Sequence, residues 1–364
     1  MSDLKINNIT DRSGDRGPVI AGVSTVSSTG AFVVPFGPTT YRGNRGRGIF
    51  ASGYTSASPL TAVKNIDFIN IASTGNAAEW GEIITEGMGL AGGASNSIRG
   101  AYCGGFEGLP TNARISTIQA LNIPTNGDIF DFGDLEWTSQ QMSGAGNNTR
   151  GIYTNGYAYP NMSPVNPNNS LNQSYTMIEF MSSANRTDFG EIIMNAGCRD
   201  VSTCETPIRG YFAGGEGTGF DSPTHNKKIT IKGFANDSES LNFGELSTMS
   251  QRGAAVGSKT RGVFVIGSAH PAITNTLEYI TLTTLGDALD FGDATTNKTN
   301  INNNAASNTI RGVYHIGRRT SPGDALTILD YITIATTGNA IEFGDLTTPT
   351  RDGCGLSDSH GGLE

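Results

Sequence analysis

Six arginines and six acids recur along the chain at positions where side chains could bind a charged ligand or move protons. Each arginine precedes a glycine: Arg47, Arg99, Arg150, Arg209, Arg261 and Arg311. Each acid closes an aromatic-Gly-acid triplet that begins at Trp80, Phe132, Phe189, Phe243, Phe291 or Phe343. Guanidinium and carboxylate groups in such number invite a binding reading, and carboxylates paired by the fold can hydrolyse sugars. A charge that returns in every unit is better explained by the unit itself. The arginines are therefore expected to hydrogen-bond to carboxylates or carbonyls between strands.

Other chemistry is sparse. His225, His270, His315 and His360 stand in separate segments, with no HExxH and no metal-ligand spacing. Cys103, Cys198, Cys204 and Cys354 form no CxxC pair, and two fall where a small apolar residue is wanted. There is no GxSxG elbow or Walker loop. Asp287, Asp290 and Asp293 are dense, but their spacing belongs to the repeat. No catalytic residue, metal or cofactor is expected. The candidate ligand loop is the longest connection, Gly156–Ser174, with Tyr157, Tyr159 and three prolines. Long loops on a rigid scaffold often carry recognition.

The elements that position these residues follow from the period. Successive arginines are 52, 51, 59, 52 and 50 residues apart, a spacing that implies a propeller or solenoid. Each unit holds four strand-like stretches. The Arg-Gly stretch is followed by an apolar one: IDFINI at Ile66–Ile71, then IQALNI, YTMIEF, ITIKGF, LEYITL and LDYITI. These strands are apolar on both faces, as blades stacked round a ring require. In most units a Gly-Asn or Gly-Asp turn leads to the triplet strand: Gly75-Asn76, Gly127-Asp128, Gly286-Asp287 and Gly338-Asn339. The fourth stretch is small-residued, as in Arg252–Ser258 and around Ala91-Gly92-Gly93-Ala94, and suits a crowded axis. Beyond the last triplet one such stretch remains, Arg351–Ser357. It is expected to complete the first blade and close a six-bladed ring of four-stranded blades, removing exposed edges.

The chain has 364 residues, 49 of them Gly, and 36% are hydrophobic. That is enough to bury a sizeable core, and the composition favours short strands and turns. Residues 1–50 carry six basic against three acidic side chains, and the remainder 18 against 30. An acidic body argues against nucleic acid as the main partner. No apolar run is long enough for a membrane helix, and the first residues lack a secretory pattern. Residues 1–46 stand outside the repeat as an attachment arm, with strand-like PVIAGVSTV and GAFVVPF, and 47–364 form the ring.

The unit resembles a divergent kelch repeat, with Ala213-Gly214-Gly215, Tyr331 and Phe343 at the expected places; Gly53, Gly156, Gly267 and Gly317 are single where kelch units have two. ITIATTGNAIEFGDLT, AASNTIRGVY and the leader ITDRSGDRGPVIAGVSTVSSTGAFVVP are similar to kelch-like proteins of tailed phages, especially those of marine cyanobacteria. The resemblance implies a non-enzymatic virion component of the tail, baseplate, a fibre or the capsid surface. It would be present in several copies, with the arm bound to other virion proteins. A carbohydrate-binding adhesin that grips a host-surface glycan is the alternative, and a glycan-degrading enzyme ranks last.

Overall fold

Each apolar and small-residue stretch pairs with its neighbour in an antiparallel ladder, because alternate backbone groups find partners only across strands. The computed structural model describes residues 46–363 except 56–60, 86–87, 109–110, 126, 160–173, 183–186, 193–198, 220–221, 270–272, 300 and 319–324, together with 19–20 and 23–24. Six sheets of four or more strands result among the described residues, making an all-β, six-bladed propeller. Blade 6 shows the plan: Ala305–Ser307 innermost, then Arg311–His315, Leu326–Thr333 and Ile341–Thr350 outermost. The other innermost strands are Gly92–Ser95, Ser143–Gly146, Ser202–Thr206, Ala254–Gly257 and Cys354–Ser357 in blades 2, 3, 4, 5 and 1. These six touch one another in a closed cycle around the axis.

Closure joins distant parts of the chain. Cys354–Ser357 pairs with Arg47–Ala51, in register from Gly48 opposite Ser357 to Ala51 opposite Cys354. In blades 2, 3 and 6 an asparagine three residues before the arginine caps that arginine's N–H, at 2.7 Å from Asn96, 2.8 Å from Asn147 and 2.7 Å from Asn308. At the closure Asp358 does this for Arg47, at 3.0 Å.

The apolar core is divided into six clusters, each between adjacent blades, including one that joins Phe50, Ile69 and Ile71 to Val313, Leu329 and Phe343 across the closure. Blades must therefore approach closely, and the recurring punctuation of the repeat shows how they do. The Gly-Asn turn of blade 1 docks on the triplet of blade 6. Gly75 N–H donates to the Phe343 carbonyl at 2.9 Å, Ala77 N–H to Asp345 at 2.8 Å, and Asp345 N–H to Asn76 Oδ1 at 3.1 Å. The same contacts join Gly338-Asn339 to Phe291-Gly292-Asp293, and Gly286-Asp287 to Phe243-Gly244-Glu245. The turn that reads as hairpin chemistry is thus also an interblade contact.

Of the arm, Val19–Ile20 and Val23–Ser24 form a two-strand ladder, Val19 opposite Ser24 and Ile20 opposite Val23, inside the stretch expected to be one strand; GAFVVPF lies outside the described residues. The closure yields a test by truncation. A chain ended after Asp358 is expected to keep one cooperative thermal transition within a few degrees of the full chain. One ended after Thr350 is expected to lose it, since the first blade then bares an edge. Equal melting temperatures for the two would show that the ring does not depend on this strand.

Candidate functional site

The repeated arginines lie between blades rather than together. Nη1 of Arg47 donates to the Ile123 carbonyl at 2.7 Å, Arg99 to Phe180 at 2.5 Å, Arg150 to Phe234 at 2.7 Å, Arg261 to Ala335 at 2.8 Å and Arg311 to Ile71 at 3.1 Å. Each of these carbonyls ends the third strand of the next blade. The guanidinium also lies over an aromatic ring of its own blade, 5.3 Å from Trp80 for Arg47 and 4.4 Å from Tyr331 for Arg311. Arg209 is exposed instead, and the Tyr211 hydroxyl takes the equivalent carbonyl, Leu282, at 2.7 Å. The triplet aromatics Trp80, Phe132, Phe189, Phe243, Phe291 and Phe343 are all buried. Their acids are spread one per blade around the rim, so no carboxylate pair for sugar hydrolysis arises from them.

A second polar set went unnoticed in the sequence. The second residue of the third-strand motif is buried and polar in every blade: Asp67, Gln119, Thr176, Thr230, Glu278 and Asp330. Four of these reach the preceding blade. Asp67 accepts from Thr347 N–H at 2.8 Å and Oγ1 at 2.6 Å, and Asp330 likewise from Thr295. Glu278 accepts from Ser247 N–H at 2.9 Å, and Gln119 from Ile84 N–H at 2.9 Å. A polar residue at one register of gap-free apolar strands was the available signal.

The axis itself is nearly filled. A cavity of about 40 Å³ remains among the inner strands, room for no more than a few waters. At one end His360 is buried, with Nδ1 2.6 Å from Glu205 Oε1 and Nε2 2.8 Å from the Ser95 carbonyl. Burial opposes its charge, but Glu205, the Ser95 carbonyl and Asp358 outweigh that and leave the imidazole raised above its usual value. Toward the other end Asn303 spans the axis, its Nδ2 2.9 Å from Ser143 Oγ while its carbonyl accepts from Gly355 N–H at 3.1 Å.

That second end gathers several charged side chains. Leu90, Gln141, Asp200, Arg252, Asn302 and Asp352 precede the six inner strands, each with φ between 53° and 62°. Left-handed conformations cost non-glycine residues about 1–3 kcal/mol each and cluster at functional sites. Their backbones hydrogen-bond in sequence round the axis: Leu90 to Asp352, Gln141 to Leu90, Asp200 to Gln141, Arg252 to Asp200 and Asn302 to Arg252. Above this ring, Asp200 Oδ2 accepts from Gln141 Nε2 at 2.6 Å and Arg252 Nε at 3.2 Å. Arg199 pairs with Glu216 at 2.6 Å, and Arg351 with Asp352 at 2.5 Å. Burial pushes the Asp200 carboxyl up against the pull of Arg252 and Arg199. Arg318 is pushed down by burial and by the nearby Arg351 and Arg252 charges. Among the described residues Asp200 Oδ1, Asn302 Nδ2, Arg199 Nε and Arg351 Nε are buried and have no hydrogen-bond partner. The signal in the sequence was the Arg-Asp doublet before two small-residue strands, at Arg199-Asp200 and Arg351-Asp352.

The candidate ligand loop is placed only in part. Tyr157–Tyr159 pairs with the outer strand of blade 2, and the Tyr157 ring lies 4.2 Å from the Arg114 guanidinium and 5.6 Å from that of Arg199. Tyr157 is thus covered by cations and joined to the charged mouth; residues 160–173 lie outside the described residues. Cys103, Cys204 and Cys354 are free and buried, and burial pushes their thiols up; Cys198 and His270 lie outside the described residues. His315 is pushed down to about 4 by burial, despite its 2.8 Å contact to the Leu326 carbonyl. Among the described residues no group of three His, Cys, Asp or Glu side chains could hold a metal, and no helix is long and apolar enough to cross a membrane. No family model matches the chain, and no curated protein sequence matches it.

Lys298 gives a sharp test of the electrostatics. It is fully buried, its Nζ has no hydrogen-bond partner among the described residues, and burial pushes its ammonium down to about 7 against the pull of Asp330 and Asp293. Such a shift disfavours the charged form by roughly 5 kcal/mol. The unfolded chain holds this proton up to the usual lysine range, so the penalty is full below pH ~7 and fades as pH rises toward ~10.5. Lys298→Met is therefore expected to raise the melting temperature at pH 6 and to add little at pH 10. An equal gain at both would contradict a buried, unpaired amine.

Proposed function

We propose that this chain is a non-enzymatic structural protein of a tailed-phage particle, a kelch-like propeller held to neighbouring subunits by its N-terminal arm. The observation that carries the reading is how the repeated chemistry is used. Five of the six Arg-Gly arginines and four buried polar side chains bridge blades. A ring braced in this way at every seam is a stiff platform. The leader's likeness to amino-terminal segments of phage virion proteins supplies the rest.

A second reading, a glycan-binding adhesin, draws on one face. Connections from the second to the third strand leave the blades at the end where the inner strands begin, beside the charged mouth. In blades 3 and 5 they reach back as Tyr157–Tyr159 and Ser268–Ala269 to pair with the outer strands of blades 2 and 4. Variable loops over a braced ring suit recognition.

The structural reading is tested by removing residues 1–40. The truncated chain is expected to melt as the full chain does and to be missing from purified particles. Normal incorporation of the truncated chain would overturn attachment through the arm.

A further inference from the structure

We propose that the end of the ring opposite the charged mouth is an interface between two copies of this chain, stacked face to face on a two-fold axis through the seam between blades 3 and 4. The inference is independent of the phage and glycan readings. Among the described residues, every exposed large apolar side chain except Ile84 and Met249 lies at the end where the inner strands finish and the outer strands begin. Apolar side chains gathered on one exposed face mark an interaction surface. Ile98, Ile208 and Ile310 stand there at the tips of the turns that lead into Arg99, Arg209 and Arg311, with Ile208 67% and Ile310 62% exposed. Tight turns favour Gly, Asn, Asp, Ser or Pro. This turn does not ask for isoleucine, because blades 3 and 5 close it with Thr149 and Thr260. Asn147 and Ser258 cap those threonine N–H groups as Asn96 and Asn308 cap Ile98 and Ile310.

The pattern fits a second copy. Isoleucine tips this turn in blades 2, 4 and 6, while blades 1, 3 and 5 have Gly46, Thr149 and Thr260 there. The turn after the third strand shows the converse. Exposed Met181 and Leu285 lie in blades 3 and 5, and the same turn in blades 2, 4 and 6 begins with Pro124, Ala235 and Ala335. A two-fold axis through a seam lays even blades on odd ones, so each large side chain faces a small one at both radii. A two-fold interface is self-complementary in this way. A three-fold partner would want a third large residue in the outer turn of blade 1, where Ala72-Ser73-Thr74 stands.

A hollow picks out one seam. Between blades 3 and 4 a groove of about 490 Å³ is walled by Thr149, Met181, Ile208 and Ala235 among others. About a two-fold axis at this seam, Ile208 of one copy comes against Thr149 of the other and Met181 against Ala235, so each copy fills the other's groove. The same axis lays Ile98 over Thr260 and Ile310 over Gly46. Charge agrees with this placement. Exposed Arg209 follows Ile208, and exposed Glu179, which pairs with Arg150 at 3.7 Å, lies close to Met181 on the facing blade. The turn residues 96–98, 147–149, 207–208, 258–260 and 308–310 include no charged side chain but Lys259, in a chain of net charge -9. Like-charge repulsion between two acidic chains is therefore weak over these turns.

The test is sedimentation equilibrium of the purified full chain over a range of concentrations. A reversible dimer is expected. Ile208→Thr, which copies the residue that blades 3 and 5 carry in this turn, should melt as the full chain does and raise the dimer Kd about tenfold or more. Met249→Thr, at the other end of the ring, should leave the Kd unchanged. Ile98→Cys and Thr260→Cys alter blades 2 and 5, which are not neighbours in one ring. Mixed under mild oxidation, these two variants should give a disulfide-linked pair in higher yield than either variant alone. A monomer at every concentration would overturn the proposal, as would an assembly of any other size. A dimer that Ile208→Thr leaves intact would overturn this face as the interface. A dimer whose mixed cysteine variants do not cross-link would overturn the two-fold axis through the seam of blades 3 and 4.

Discussion

Everything in this fold depends on how closely neighbouring blades approach at their rims. A Cβ on Gly344 would enter the Gly75 carbonyl of the adjoining blade, and one on Gly292 or Gly244 would do the same to Gly338 or Gly286. At the axis, a Cβ on Gly48 or Gly262 would lie 2.8 Å from the Ala306 methyl or 2.6 Å from the Cys204 sulfur of the preceding blade. Close packing with few voids is the normal state of a protein interior. Here that interior is divided into six seams, so the same contact must be made six times. The repeat reads as it does because each seam asks for the same residues.

This constraint separates the residues occupied at the seams from those at the axis. Arg311, Asp330 and the Phe343-Gly344-Asp345 triplet are occupied at seams. At the axial mouth Leu90, Gln141, Asp200, Arg252, Asn302 and Asp352 share one backbone conformation but belong to five residue types.

Sequence reading reached the architecture because the seams are periodic. Arg-Gly, the triplet and the small-residue strand each recur, so blade number, strand order and closure by Cys354–Ser357 were all legible. The polar second residue of the third strand was hidden by its identity changing from Asp67 to Gln119 to Thr176, so burial and not type is what repeats. The mouth was hidden for a different reason. Arg199, Arg252, Arg318 and Arg351 come from separate units, and only closure of the ring brings their strands to one axis. Tyr157, a residue of the candidate ligand loop, has the Arg114 and Arg199 guanidinium groups against its ring, a contact between separate units.

The most direct measurement compares thermal unfolding of Gly344→Ala and Gly75→Ala. The two glycines have φ of 153° at both positions, so the backbone strain of a side chain is shared. A Cβ on Gly75 meets nothing within 4 Å, whereas one on Gly344 meets the neighbouring blade. Gly344→Ala is expected to lose about 1–3 kcal/mol more than Gly75→Ala, the usual cost of overpacking. Equal losses would mean that backbone conformation alone demands glycine, and that the ring is not held by blade-to-blade approach.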